Sequence, residues 1–322
     1  MMTALRRPGY ERPTIYQVSH QRTVYLFGQP IAHSVSPVFH NAIFRNLGLP
    51  WRYIRLDSKD PDDLAWLMHR EDFIGAAVTM PNKIRAMEQV DILTPDARKI
   101  GCINTIYVRP SGPESEQTRT YIGTNTDWIG IQRALLNADP DFRSRFSNEA
   151  ALVIGGGATC RSAIYALTEG LGFKVVYLVN RDPAEAKAAI RAMKQEGLSQ
   201  DIYFVETIEM ALSIPSPPTV AVSAVPDLAP KTAPEQAARD MTTALIQRSQ
   251  ESPSPPLFLE MCYDPTPMTW LATAAKSSGW RIIDGLDVME HQAIEQAALW
   301  TGKHIQDLPS SVANAEMRLA LR

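Results

Sequence analysis

The chain has 322 residues, room for two domains of ordinary size, and its 45% hydrophobic and 21% charged content suits a globular enzyme with an ample core. A net charge of −3 supplies no global basic field for nucleic acid or an anionic membrane, and no apolar run reaches the roughly 18–20 residues of a membrane span. Three scattered cysteines are too few for a disulfide framework or a zinc cluster, and the polar first 22 residues lack the apolar segment of a secretory signal. The expectation is therefore a short N-terminal arm on a cytoplasmic protein, monomeric or homodimeric, with no nucleic-acid or membrane partner.

In chain order, an apolar strand over residues 24–27 leads through a Ser-Pro loop into a helix near 38–47. A strand over 51–56 follows, then a helix after Asp60 with Pro61 in its first turn, where a missing N–H costs nothing. Residues 74–79 read as a buried strand, with Lys83 at the start of the next helix. A hairpin is expected from 105–108 and 121–122, across the polar stretch 110–118.

A second unit opens with the apolar run 151–154, suited to a strand covered on both faces. Gly155-Gly156-Gly157 comes next, then a helix to about residue 171 and a second run at 175–179. Strand and helix alternate onward through 219–223, 257–260 and 280–283, the rhythm of a parallel, doubly wound sheet. The Pro/Ser-rich patches 213–218 and 249–256 are spaced as loops inside this unit. The helix starting near Asp287 is the last long amphipathic one and is expected to pack back on the first unit.

Four polar signatures precede the glycine turn: Ser34-Val35-Ser36-Pro37, Thr79-Met80-Pro81-Asn82-Lys83, Ile103-Asn104-Thr105 and Asn125-Thr126-Asp127. They supply hydroxyls, amides, one amine and one carboxylate, the inventory for gripping a polyhydroxylated acid. The glycine turn after a strand and before a helix supplies bare N–H groups for a pyrophosphate, although the third fingerprint position holds Cys160. Together they point to an alcohol dehydrogenase for a small, oxygen-rich ring. Oxidising an alcohol also removes a proton, which a lysine can carry. A neighbouring carboxylate favours the charged ammonium, so Asp127 would orient Lys83 rather than free it. Spacing alone favours a surface salt bridge or an unpaired, exposed lysine. Ser34 and Ser36 are read first as caps of the helix after Pro37. Asn104, Asn125 and Gln292 can bind hydroxyls or simply shape turns. Asn180-Arg181-Asp182 stands where an adenosine ribose would lie, with Asp182 also placed to cap the helix before Pro183. The histidines show no metal-ligand spacing.

The combined motifs resemble the shikimate/quinate 5-dehydrogenase family over roughly residues 23–303. The landmarks are residues 28–37 (GQPIAHSVSP), 78–83 (VTMPNK), 101–105 (GCINT), 123–127 (GTNTD), Gly155-Gly156-Gly157, Asn180-Arg181, 261–265 (MCYDP), Gly285-Leu286 and His291-Gln292. The resemblance implies an α/β chain with an N-terminal substrate domain and a Rossmann-like, doubly wound cofactor domain. Its division would be an arm at 1–22, a substrate-binding catalytic unit at 23–130 with 287–322 packing back, and a cofactor unit at 131–286. It implies Lys83 and Asp127 as the catalytic pair, Ser34 and Ser36 on the substrate carboxylate, and Thr79, Asn104 and Gln292 on ring hydroxyls, with Tyr263 near the junction. Gly155, Gly157, Ala158, Asn180, Arg181, Asp182 and Gly285 would serve the nucleotide, and no metal is required.

Several positions depart from the common family pattern: Ala77, the Ala158-Thr159-Cys160-Arg161 turn, Asp182, and residues 222–226 (VSAVP) over the cofactor. Asp182 and residues 222–226, with Glu260-Met261-Cys262-Tyr263, look more like the fungal branch that oxidises quinate with NAD. The alternatives are an NADP-dependent shikimate dehydrogenase and, in a different class, a non-catalytic sensor of the same metabolites. Retention of both Lys83 and Asp127 favours an enzyme, since sensing needs no proton carrier.

Overall fold

The first sheet is built on β1 (Arg22–Gly28), whose six residues after Arg22 are all buried. Alternation along the strand sends Val24 and Leu26 to one face and Tyr25 and Phe27 to the other, and each face has its own core. β2 (Trp51–Asp57) and β3 (Phe73–Val78) flank β1 in parallel, aligning Phe27 with Leu56 and Val78. Beyond them lie the short β4 (Ile92–Leu93) and the hairpin of β5 (Thr105–Ser111) and β6 (Thr118–Thr124). The order is β2-β1-β3-β5-β6-β4, with β5 antiparallel to both of its neighbours. The computed structural model describes residues 21–111, 118–146, 149–249, 255–264, 266 and 268–321. The expected N-terminal arm lies outside these residues except for Gln21 and Arg22, as does most of the 249–256 loop.

Tyr25, Phe27, Phe73 and Val78 pack on Leu64 and Leu67 of the helix Pro61–Met68, which Asp60 caps by accepting the Asp62 N–H. On the opposite face, Val24 and Leu26 meet Phe39 and Ile43 of the helix Ser36–Asn46. Met289, Ala293, Ala297 and Trp300 of the helix Gly285–Thr301 join that same core. Each large apolar side chain withdrawn there contributes roughly 1.5–3 kcal/mol. The helix Gly285–Thr301 thus docks on the first sheet, and Trp300 Nε1 donates to the Ile106 carbonyl at 2.9 Å. It is less one-sided than its sequence pattern suggests, because Val288 enters the core of the second unit.

The second sheet is six-stranded and wholly parallel, in the order β12-β11-β10-β7-β8-β9. Its strands are β7 (Ala150–Ile154), β8 (Val175–Val179), β9 (Asp201–Phe204), β10 (Pro218–Ser223), β11 (Leu257–Glu260) and β12 (Arg281–Asp284). β7 pairs with β8 on one side and β10 on the other, so the chain reverses its direction of growth across the sheet at β7. Crevices at such switch points, beyond the carboxyl ends of the strands, are where doubly wound sheets take ligands. The strand ends are level: Ile154 aligns with Val179 and Ser223, and Ser223 with Glu260.

Some local expectations fail. Lys83 does not open an α-helix; it sits in a turn before a 3-10 helix, Arg85–Gln89. That segment has little room, because Val90 is already extended and β4 begins at Ile92. Ser34 and Ser36 are not caps either. The N-cap position belongs to Val35, with no side-chain cap bond, and Ser36 is itself helical ahead of Pro37. The Ser34 hydroxyl instead accepts the N–H of Ser36, the first helical residue, at 3.3 Å, and both serines are half-buried.

Candidate active site

Lys83 and Asp127 meet. Lys83 Nζ lies 2.5 Å from Asp127 Oδ2, with only 11% and 10% of the two side chains exposed. Strand pairing brings them together across 44 residues of chain. The Ile103 N–H donates to the Lys83 carbonyl at 2.9 Å, and the Asn104 N–H to Thr124 at 3.1 Å, which ties the lysine turn to the Asn104 and Asp127 turns. Asp127 opens the helix Asp127–Ala138, where free N–H groups favour a carboxylate. Asn125 supports that turn: its Oδ1 accepts the Asp127 N–H at 3.0 Å. Asn125 is fully buried, and its amide donates to the Cys102 carbonyl at 3.2 Å and to Ser162 Oγ at 3.0 Å.

Around the pair runs a continuous polar network. The Asn104 amide donates to Asp127 Oδ1 at 2.8 Å, to Thr126 Oγ1 at 2.9 Å and to Gln292 Oε1 at 3.3 Å. Thr126 Oγ1 also donates to Gln292 at 3.2 Å. Gln292 comes from the helix Gly285–Thr301, so the docking of that helix completes the site. One turn later, Gln296 Nε2 fixes the Thr105 hydroxyl at 2.9 Å. Thr126 and Gln296 were not singled out from sequence, although Thr126 lies inside a motif that was.

The serine loop follows β1 and the lysine turn follows β3, two adjacent parallel strands, so both emerge at the same sheet edge. The Gln29 N–H donates to the Met80 carbonyl at 3.0 Å and joins them. Ser34 and Ser36 hydroxyls stand 3.2 Å apart. Beneath Ser36 lies Tyr53, whose hydroxyl burial pushes far above the ordinary phenol range, within electrostatic reach of Tyr263. Tyr263 packs at the edge of the first core, and burial raises its hydroxyl too. Thr79 directly follows β3, with its methyl against Gly28.

The glycine turn touches this site. Asn125 Nδ2 donates to Ser162 Oγ at 3.0 Å, and the Cys102 thiol to the Ala158 carbonyl at 3.4 Å, so the helix Ala158–Tyr165 starts beside the Asp127 turn. Gly155 has φ +120°, and a Cβ there would come within 2.7 Å of Cys160 Sγ, which fills the space beneath the turn. A Cβ on Gly156 would strike the Asn180 amide, whereas one on Gly157 would meet nothing within 4 Å. Gly157 is therefore the open face of the turn. Asn180 works from behind, donating to Glu185 Oε2 at 2.9 Å and to the Asp182 carbonyl at 3.0 Å.

Arg181 pairs with Glu235 at 2.5 Å. Asp182 Oδ1 caps the helix Pro183–Gln195 by accepting from Ala184 and Glu185 at 2.9 and 3.1 Å. Lys187 turns away to Glu206 at 2.8 Å. A Cβ on Gly285 would lie 2.7 Å from the Glu260 carbonyl, so only glycine allows this backbone approach. Glu260 belongs to the Glu260-Met261-Cys262-Tyr263 stretch, but its sequence does not disclose its burial. It is fully buried at the end of β11, accepts from Thr269 Oγ1 at 2.6 Å and from the Cys262 N–H at 3.1 Å, and burial pushes its carboxyl up to about 7.

Residues 26–106 match the family model described as the shikimate dehydrogenase substrate binding domain. Over 319 residues, 96% of this chain and 96% of the relative, the sequence is 35% identical to a quinate dehydrogenase of Emericella nidulans. A shikimate 5-dehydrogenase structure from Mycobacterium fortuitum is 30% identical, with TM-score 0.69 over 94% of this chain and 99% of that one. A quinate dehydrogenase of Corynebacterium glutamicum, solved with NAD, shares the fold with TM-score 0.73 over 93% and 99%, at 22% identity.

Proposed function

The chain belongs to the shikimate/quinate dehydrogenase family, oxidoreductases acting on a CH–OH group, and from that premise we propose that it oxidises quinate to the 3-dehydro ketone with NAD, shikimate being a second substrate. The observation that carries this reading is the 2.5 Å Lys83–Asp127 contact set in the Asn104, Thr126 and Gln292 network. NAD, its pyrophosphate held at the glycine turn, would supply the hydride acceptor. The alcohol's proton goes to the Lys83–Asp127 pair, with Asp127 fixing the direction of the amine.

In this proposal Ser34 and Ser36 hold the carboxylate, and Thr79, Asn104 and Gln292 take ring hydroxyls beside Tyr263. Gly155, Gly157 and Ala158 present N–H groups to the pyrophosphate, while Asn180 and Gly285 shape its surroundings. Arg181 stacks on adenine, and Asp182 uses its second oxygen for the ribose 2′-OH. The functional units are 23–130 with 287–322 for substrate and 131–286 for cofactor. Among the described residues no helix is long and apolar enough to cross a membrane. All three cysteines are free, two of them buried, which suits the reducing cytoplasm we propose, as a monomer or homodimer.

The direct test mixes purified protein, quinate and NAD and follows absorbance of the reduced nicotinamide. A steady rise supports the enzyme. Tight quinate binding by calorimetry, without turnover on either cofactor, would make the protein a sensor.

A further inference from the structure

Arg181 follows β8, and Glu235 stands in the first turn of the helix Ala233–Arg248, which follows β10. β8 and β10 flank β7, so their 2.5 Å ion pair reaches from one side of the glycine turn to the other. Glu235 is held tightly. Its Oε2 accepts the N–H groups of Lys231 and Thr232 at 2.9 and 3.0 Å, and Thr232 Oγ1 accepts the Glu235 N–H in return, a full capping box. The Lys231 N–H above all, then the Thr232 hydroxyl and Arg181, hold this carboxyl down at about 2, so it is charged at any working pH. With Oε2 committed to the backbone, Oε1 remains for Arg181.

The Arg181 side chain is 66% exposed, and an ion pair that open adds little to stability. Its consequence is where it puts the guanidinium. A ribose 2′-phosphate would need a cation at this end of the crevice to offset Asp182, and Lys187 is already engaged by Glu206. We propose that Glu235 is a specificity-determining residue: by pairing with Arg181 it withholds that guanidinium from a 2′-phosphate and leaves Asp182 to face a free ribose. This rests on the NAD reading above and assigns its cause to a residue that touches no cofactor atom there.

Glu235→Gln is the informative variant, because glutamine keeps the capping box while losing the charge. The readout is the ratio of kcat/KM for NADP to that for NAD, a quantity a merely structural role would not move. The ratio should rise roughly tenfold or more in Glu235→Gln, the size of one charge-assisted hydrogen bond. Adding Arg181→Ala to that variant should return the ratio to the wild-type value. Arg181→Ala alone should leave the ratio within about twofold of wild type, since the pair is already closed; this arm stands even if Glu235→Gln does not fold. An unchanged ratio in folded Glu235→Gln, or a tenfold fall in Arg181→Ala alone, overturns the proposal. A wild type that prefers NADP instead removes the NAD reading itself, which separates the two failures.

Discussion

Replacing Lys83 with alanine probes the chemistry and the packing at once. The amine is one end of a 2.5 Å contact whose members are each about nine-tenths withdrawn from solvent. Stripping one partner from a buried pair costs about 3–5 kcal/mol when the other charge has no substitute. Asp127 does have substitutes, the Asn104 amide on Oδ1 and the N-terminus of its own helix. We therefore expect a stability loss of about 1–3 kcal/mol, a Tm decrease of several degrees for a chain of this size. The catalytic loss should be larger: a positioned acid/base contributes roughly 10²- to 10⁴-fold, so kcat should fall at least 10²-fold. KM for quinate should change much less if the lysine acts mainly in the transition state. Asp127→Asn should also damage kcat, with some loss of substrate binding. Initial rates at saturating NAD, with melting curves on the same samples, separate the two effects. A Lys83→Ala protein that melts several degrees lower but keeps most of its kcat would reduce the pair to a structural salt bridge.

Asp182→Thr should narrow the preference for NAD by about 5- to 150-fold in the kcat/KM ratio, the equivalent of about 1–3 kcal/mol of screened repulsion; threonine still caps the following helix, so an unchanged ratio cannot be blamed on unfolding. Gly157→Ala should keep its Tm within about a degree yet raise KM for the cofactor, because its Cβ enters open space on the face assigned to pyrophosphate. Gly156→Ala should instead lower Tm, since its Cβ strikes Asn180; equal melting of the two variants would contradict the geometry. Glu260 gives a pH signature. Its folded value of about 7 lies above the unfolded 4.5, so its contribution is intact below about 4.5 and lost as pH rises through 7, by about 3 kcal/mol. Wild-type stability measured against Glu260→Gln by denaturant titration should therefore decline across that window, and a flat difference would refute the raised carboxyl.

How much of this was legible in the residues depended on how each one is used. The strands 175–179 and 257–260 were read to their ends, because parallel strands covered on both faces are continuous apolar runs. β9 and β4 escaped notice: one is a four-residue edge strand with two exposed residues, and the other has only two residues. The Lys83–Asp127 pair was visible only as chemistry within motifs, since nothing local says that positions 44 apart will touch. Gln292 was recognised by resemblance, 188 residues from the Asn104 amide it meets. The serines do not hold the N-cap position because Pro37 marks a helix start only to within a residue, and that residue gives the position to Val35. Thr232 and Glu235 carry a capping-box spacing that any reader could find, but the second use of Glu235 depends on Arg181 arriving from another strand.

The central claim is a dehydrogenase working on quinate with NAD, and one set of initial rates addresses it: quinate or shikimate, each with NAD or NADP. The account predicts the largest kcat/KM for quinate with NAD and a marked loss when NADP replaces NAD. The largest value for shikimate with NADP would contradict it, and would make the chain a biosynthetic shikimate dehydrogenase.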